Sequence, residues 1–193
     1  KNSITELYKI PKSDLHNHAG RGGNLEYIEA WANVKIEPPT KPFETLYKMQ
    51  QWFENNVKCH CAGIQGYLKR IEASFAQARM DNIKVLSLSF GIGEIDSLGN
   101  MESFSNTVNE LHQHYAPDSE FFPELALGRE CDIGYALNRI DEILSYGWFK
   151  SIDICNNEFA QSIKNFKPIY KRAKASGLRL KAHVGEFGSA DDV

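Results

Sequence analysis

The chain has 193 residues, 42% of them hydrophobic and 24% charged, with a formal net charge of −3. That composition suits an ordinary soluble globular protein with material for one core, and it excludes disordered and fibrous classes. It lacks the basic surplus of a nucleic-acid or anionic-membrane binder, and it has neither an apolar run near the roughly 18 residues of a membrane span nor a secretion signal. The expected partner is therefore a small molecule and the expected location cytoplasmic. Cys59, Cys61, Cys131 and Cys155 match neither a disulfide framework nor paired CxxC knuckles, so reduced thiols are expected. The string Cys59-His60-Cys61 has no second ligand pair and is read as a solvent-edge coincidence.

In chain order, a polar N-terminal arm leads into a first strand over residues 12–18, which contains Asp14-Leu15-His16-Asn17-His18. Side chains two apart on a strand share a face, so His16 and His18 present two imidazoles on one side. Gly20-Arg21-Gly22-Gly23 then breaks the strand; such a cluster is either a flexible turn or a loop that lets backbone approach a ligand. Residues 24–63 read as mostly irregular or helical, with an aromatic-rich amphipathic patch over 43–53 that is either a lid or flank of the site or ordinary packing. Ile64, Tyr67, Leu68, Ile71, Phe75 and Ala78 recur at helical intervals and predict a helix ending near Asn82.

Strands are predicted over 83–90, 121–127, 151–155 and 180–185, separated by helices over 105–115, 135–146 and 166–176. The order βαβαβαβαβ implies parallel pairing with right-handed crossovers. That leaves an open doubly wound sheet or part of a (β/α)8 barrel. Barrel active sites gather at the C-terminal ends of strands, and His16, His18 and His183 all fall at predicted strand ends, with Gly185 and Glu186 at the junction after the last one. The barrel is accordingly preferred. His112-Gln113-His114 falls in a helix, where residues two apart diverge, and is assigned to surface solvation.

Three neutral imidazoles around zinc would leave its charge largely uncompensated and bring the pKa of water from about 15.7 towards about 7. A carboxyl at Glu186 could then protonate a substrate nitrogen next to the attacked carbon; its other reading is a loop carboxylate capping a helix begun at Ser189. HxE, PCxxC and HExxH are absent, which disfavours cytidine-deaminase and zincin chemistry.

Pro11-Lys12-Ser13-Asp14-Leu15-His16-Asn17-His18, the run Ser151-Ile152-Asp153-Ile154-Cys155-Asn156-Asn157-Glu158, and Lys181-Ala182-His183-Val184-Gly185-Glu186-Phe187-Gly188-Ser189 resemble three signature regions of the adenosine deaminase group of metal-dependent amidohydrolases. The resemblance implies an α/β fold of (β/α)8 TIM-barrel type, of which about five strands are present. It implies one Zn2+ held by His16, His18 and His183, Glu186 as proton donor, and hydrolytic release of ammonia from an aminopurine nucleoside or nucleotide. Asn156, Gly185 and Arg21 are expected at the substrate. Asn156 stands where the family has a purine-contacting glycine, and Arg21 lies where it has a ribose-binding acid, which favours a phosphate or carboxylate on the substrate. The family's further metal-ligand aspartate and general-base histidine lie on later strands.

Residues 1–193 are expected to be a single domain, the N-terminal portion of a barrel that stops near the start of the helix after strand five. Two features of the ends prompt that expectation: the chain starts at Lys1 without a methionine, and Ser189-Ala190-Asp191-Asp192 has the form of a capping box that announces a helix. Such a portion is expected to be inactive alone and prone to homo-oligomerise through unclosed barrel edges. The alternatives are another amidohydrolase cleaving an amide or ester, and a non-catalytic half-barrel remnant.

Overall fold

The computed structural model describes residues 3–21 and 23–187; the capping box at Ser189 lies outside them. In chain order the elements are α1 (Ile4–Lys9), β1 (Lys12–His18), α2 (Leu25–Ala32), α3 (Leu46–Asn56), α4 (Gly63–Met80), β2 (Ile83–Gly91), α5 (Met101–Tyr115), β3 (Glu120–Gly128), α6 (Ile133–Ser145), β4 (Ser151–Cys155), α7 (Lys167–Ala175) and β5 (Arg179–Ala182). The strands make one sheet in the order β1-β2-β3-β4-β5, and β3, β4 and β5 pair in parallel. Right-handed crossovers that each advance by one strand in the same direction put their helices on a single face of a sheet. A doubly wound sheet reverses direction and covers both faces, so the sequential order carries the barrel architecture predicted from the ligand positions.

The chain forms two compact units, residues 1–88 with 102–121 and residues 89–101 with 122–193. In the first, α4 is the organiser. Of its predicted apolar stripe, Tyr67, Ile71, Phe75 and Ala78 are buried, whereas Ile64 is exposed. Asn24 caps α2 by accepting from the Tyr27 amide, and the Asn24 amide donates to Ala73 O on α4. A core of Ile28, Ile36, Val57, Cys61 and Ala73 is flanked by Trp52 and Phe53 of α3. The aromatic patch over 43–53 thus includes a helix that packs on this core.

One expectation, that for His112, is corrected in this unit. The N-terminal arm is a helix, closed by a capping box between Ser3 and Glu6; six residues are too few to show a periodicity. Cys59 and His60 are exposed while Cys61 is buried in the core, so the string lies at the solvent edge as expected, with its last residue turned inwards. His112 is buried, not solvated. Phe104, Val108 and His112 follow at intervals of four on the inner face of α5, and the His112 ring packs 5.4 Å from Phe75 and 5.1 Å from Phe121. Its Nε2 lies 3.0 Å from the Ser119 carbonyl oxygen, while His114 points outwards.

In the second unit the strand register sorts side chains by face. Ser151 pairs with Glu124 on one side and Arg179 on the other, and Asp153 with Ala126 and Lys181, so these residues share one face. Leu125, Leu127, Ile152 and Ile154 share the other, and α7, with Ile169 and Ala173 buried, packs against β4 and β5. All five residues of β4 are buried, as expected of a parallel strand covered on both sides. No helix among the described residues is long and apolar enough to cross a membrane.

Burial, the largest influence, lowers the pKa of His112 below its ordinary value against the opposing hydrogen bonds to Ser119 and Ala116. The neutral ring's contribution to stability is therefore complete above the ordinary imidazole range and is lost as pH falls through that range towards the lowered value. His112→Ala is expected to cost about 1–3 kcal/mol and to flatten this acid-side decline, measured by urea unfolding over pH 5 to 8.

Candidate metal and substrate site

On β1 the burial alternates: Leu15 is 64% exposed, whereas Asp14, His16 and His18 are partly buried. The His16 and His18 rings are 4.9 Å apart, edge to face. Asp14 braces the strand end, accepting from the His16 amide at 3.3 Å and from the Asn17 side chain at 3.1 Å. The following loop is held by α4: Ser74 Oγ donates to Ala19 O at 2.7 Å, and Arg70 Nε donates to Gly20 O at 3.0 Å. Gly23 is glycine for packing, because a Cβ there would lie 2.7 Å from that of Ala73. Arg21 is exposed, its guanidinium 5.7 Å from the centroid of the Phe53 ring.

The other predicted residues lie in the second unit. Strand β5 ends at Ala182, earlier than the predicted residue 185, and His183 follows it directly. The His183 amide still donates to Ile154 O at 2.8 Å, so the pairing pattern reaches one residue past the strand. Its Nδ1 lies 2.9 Å from Oδ2 of Asp153, a carboxylate almost wholly buried on β4. Asn156 takes a positive φ of 68°, the left-handed conformation that glycine adopts most readily. Its amide Nδ2 would lie 2.7 Å from a Cβ built on Gly128, so the close approach of the ends of β3 and β4 depends on that glycine. Gly185 also has a positive φ, 72°, and Glu186 beside it is exposed.

Several functional-looking side chains carry no earlier role. Asp153 is one, and its signal was a lone charge between Ile152 and Ile154 in an otherwise apolar strand. Glu124, fully buried, accepts from Ser151 Oγ at 2.7 Å and pairs with Lys181 at 2.5 Å. Arg129 and Glu158 are buried beside the loop after β5.

The donor chemistry around His183 fits a metal. A ligating histidine is usually oriented by a carboxylate on its other ring nitrogen, which fixes the tautomer. With Nδ1 taken by Asp153, a metal would be met by Nε2.

No protein-family model matches the chain. It is 27% identical over 190 residues to a protein of Treponema pallidum (strain Nichols) provisionally named an adenosine/adenine deaminase, a match that spans 97% of this chain and 64% of that one. Among solved structures it is similar to Arabidopsis ADAL complexed with IMP, with a TM-score of 0.74 at 16% identity, covering 98% of this chain and 62% of that one. It is likewise similar to an amidohydrolase of Burkholderia ambifaria with bound Zn, with a TM-score of 0.73 at 18% identity, covering 97% of this chain and 56% of that one. The chain thus spans less than two thirds of each relative, and the likeness carries the fold, five strands of a (β/α)8 barrel.

The Asp153 pairing, the largest influence, raises the pKa of His183 above its ordinary value in the metal-free protein, against the opposing effect of burial. The stabilisation from this pair is therefore complete below the ordinary imidazole range and is lost as pH rises through the raised value. Asp153→Asn is expected to move the His183 titration down in pH, read from its ring proton shifts by NMR without metal.

Proposed function

We propose that the chain is the metal-binding first part of a zinc-dependent deaminase acting on an aminopurine. His16, His18 and His183 are assigned as ligands of one ion, with Asp153 orienting His183. The single observation that carries the reading is the Asp153–His183 pair at a strand end, the arrangement found where a histidine ligates a metal. The similarity to the Treponema protein over nearly the whole chain supports it. Bound there, zinc supplies a Lewis acid that brings the pKa of water from about 15.7 to about 7.

The chain's own residues do the remaining work. With the Nδ1–H of His183 directed at the Asp153 carboxylate, the neutral ring keeps its lone pair on Nε2 for a metal. Glu186 delivers a proton to the purine nitrogen beside the carbon that loses its amino group, so that ring electrons are drawn away from the attacked centre. Asn156 and Gly185, both with a positive φ just after adjacent strands, are assigned to the base. Arg21, stacked on Phe53, offers a planar cationic fork to a substrate phosphate or carboxylate. That assignment favours a nucleotide over a bare base, in line with the IMP bound by the Arabidopsis relative.

The test uses the natural full-length protein loaded with zinc and offered adenine, adenosine, AMP and N6-methyl-AMP. About one zinc per chain by elemental mass spectrometry and release of ammonia or methylamine, with no second organic fragment, are expected. His183→Ala should lose the zinc, whereas Glu186→Gln should keep it and lower kcat about 100- to 10,000-fold. A zinc-loaded protein that leaves every aminopurine unchanged overturns the reading.

A further inference from the structure

The loop that carries His183 and Glu186 has no helix or strand over residues 183–187, yet side chains from the turns after β3 and β4 hold its backbone at several points. Glu158, buried in that turn, places one carboxylate oxygen on each side of Glu186. Its Oε1 accepts from the Gly185 amide at 2.5 Å and its Oε2 from the Phe187 amide at 2.8 Å. Arg129, fully buried just past the end of β3, completes the bracket. Its Nη1 donates to Glu158 O and its Nη2 to His183 O, both at 3.1 Å. Gln161 in turn donates to Arg129 O at 2.6 Å and to Cys131 O at 2.9 Å.

Burying a carboxylate is costly unless it is hydrogen-bonded, and amide donors to a charged acceptor are among the stronger bonds a protein makes. The two amides that Glu158 accepts are those of residues 185 and 187, and Gly185 is the one with the widest conformational freedom in the loop. Glu186 is exposed, so the direction of its carboxylate depends on the backbone that bears it.

We propose that Glu158, braced by Arg129, is a positioning residue that fixes the backbone on both sides of Glu186 and so aims its carboxyl at the substrate. The proposal rests on the role given to Glu186 above. It assigns to Glu158 a function exerted through Glu186, with no contact to substrate or metal required.

Two experiments test it, and they fail separately from the deaminase reading. Glu158→Gln keeps the shape of the side chain but sets an amide group against a backbone N–H. In the chain itself, hydrogen exchange of the Gly185 and Phe187 amides should quicken at least about tenfold while the amides of β3 and β4 keep their protection; unchanged exchange at 185 and 187 overturns the clamp whether or not the protein is an enzyme. In the zinc-loaded full-length protein, Glu158→Gln should lower kcat about 10- to 100-fold with zinc content and KM nearly unchanged. Combined with Glu186→Gln it should lower kcat no further. An equal loss in both backgrounds overturns the positioning role, because it marks a general structural defect. Glu158→Asp, which retains the charge on a shorter arm, should recover part of both losses, and no recovery in either readout counts against the clamp.

Discussion

Charge that is out of reach of water sits on one face of two neighbouring strands, and the arrangement around the candidate site follows from satisfying it. Glu124 and Asp153 are essentially unexposed. Desolvating one such carboxylate costs several kcal/mol, and a well-placed partner roughly repays it. Glu124 has Lys181 and Ser151; Asp153 has His183. Pairs of this kind add little net stability, but breaking one costs about 3–5 kcal/mol because it strands a buried charge. They hold geometry. The stabilisation comes from the opposite face, where Leu125, Leu127, Ile152 and Ile154 are buried and each large aliphatic side chain contributes about 1.5–3 kcal/mol.

This division of labour is a consequence of topology. Parallel strands joined in sequential order by right-handed crossovers put their helices on one side, so that side must be apolar and the chain can spend polar residues on the other. Strand β4 displays both roles in five residues, with Ile152 and Ile154 on one side and Ser151, Asp153 and Cys155 on the other. The same alternation on β1 separates His16 and His18 from Leu15.

Elements with a long or strict pattern were legible in the sequence. The bounds of β1 and β4 were read to the residue, and α4 nearly so, since its stripe spans four turns. The five-strand order and the barrel preference followed from counting crossovers and from where the histidines fall. What escaped had a physical reason in each case. Helix α1 is shorter than two turns. His112 has the exposed His114 as its close sequence neighbour, whereas Phe104 and Val108 share its buried face. Val184 extends the apolar character of β5 beyond its ladder, which ends at Ala182, three residues before the expected end. The roles of Asp153, Glu158 and Arg129 could not be read from spacing, because they arise where three strand ends meet and residues 129, 158 and 183 become neighbours.

The two residues given chemical roles on the loop after β5 are held in different ways, and the difference matches what each is asked to do. His183 is fixed through its own amide, its carbonyl and its ring, by Ile154, Arg129 and Asp153 respectively. A metal ligand needs that rigidity, because coordination distances tolerate only a few tenths of an ångström. Glu186 is anchored through the amides of its neighbours, by Glu158, and its side chain keeps its rotamer freedom at the surface. A proton donor must reach a substrate atom and then be reprotonated from solvent, so a fixed backbone with a free carboxyl serves it better than a locked side chain. Both restraints come from residues on β3 and β4 or the turns after them, which means that the last strand and its loop acquire their geometry from elements that precede them in the chain.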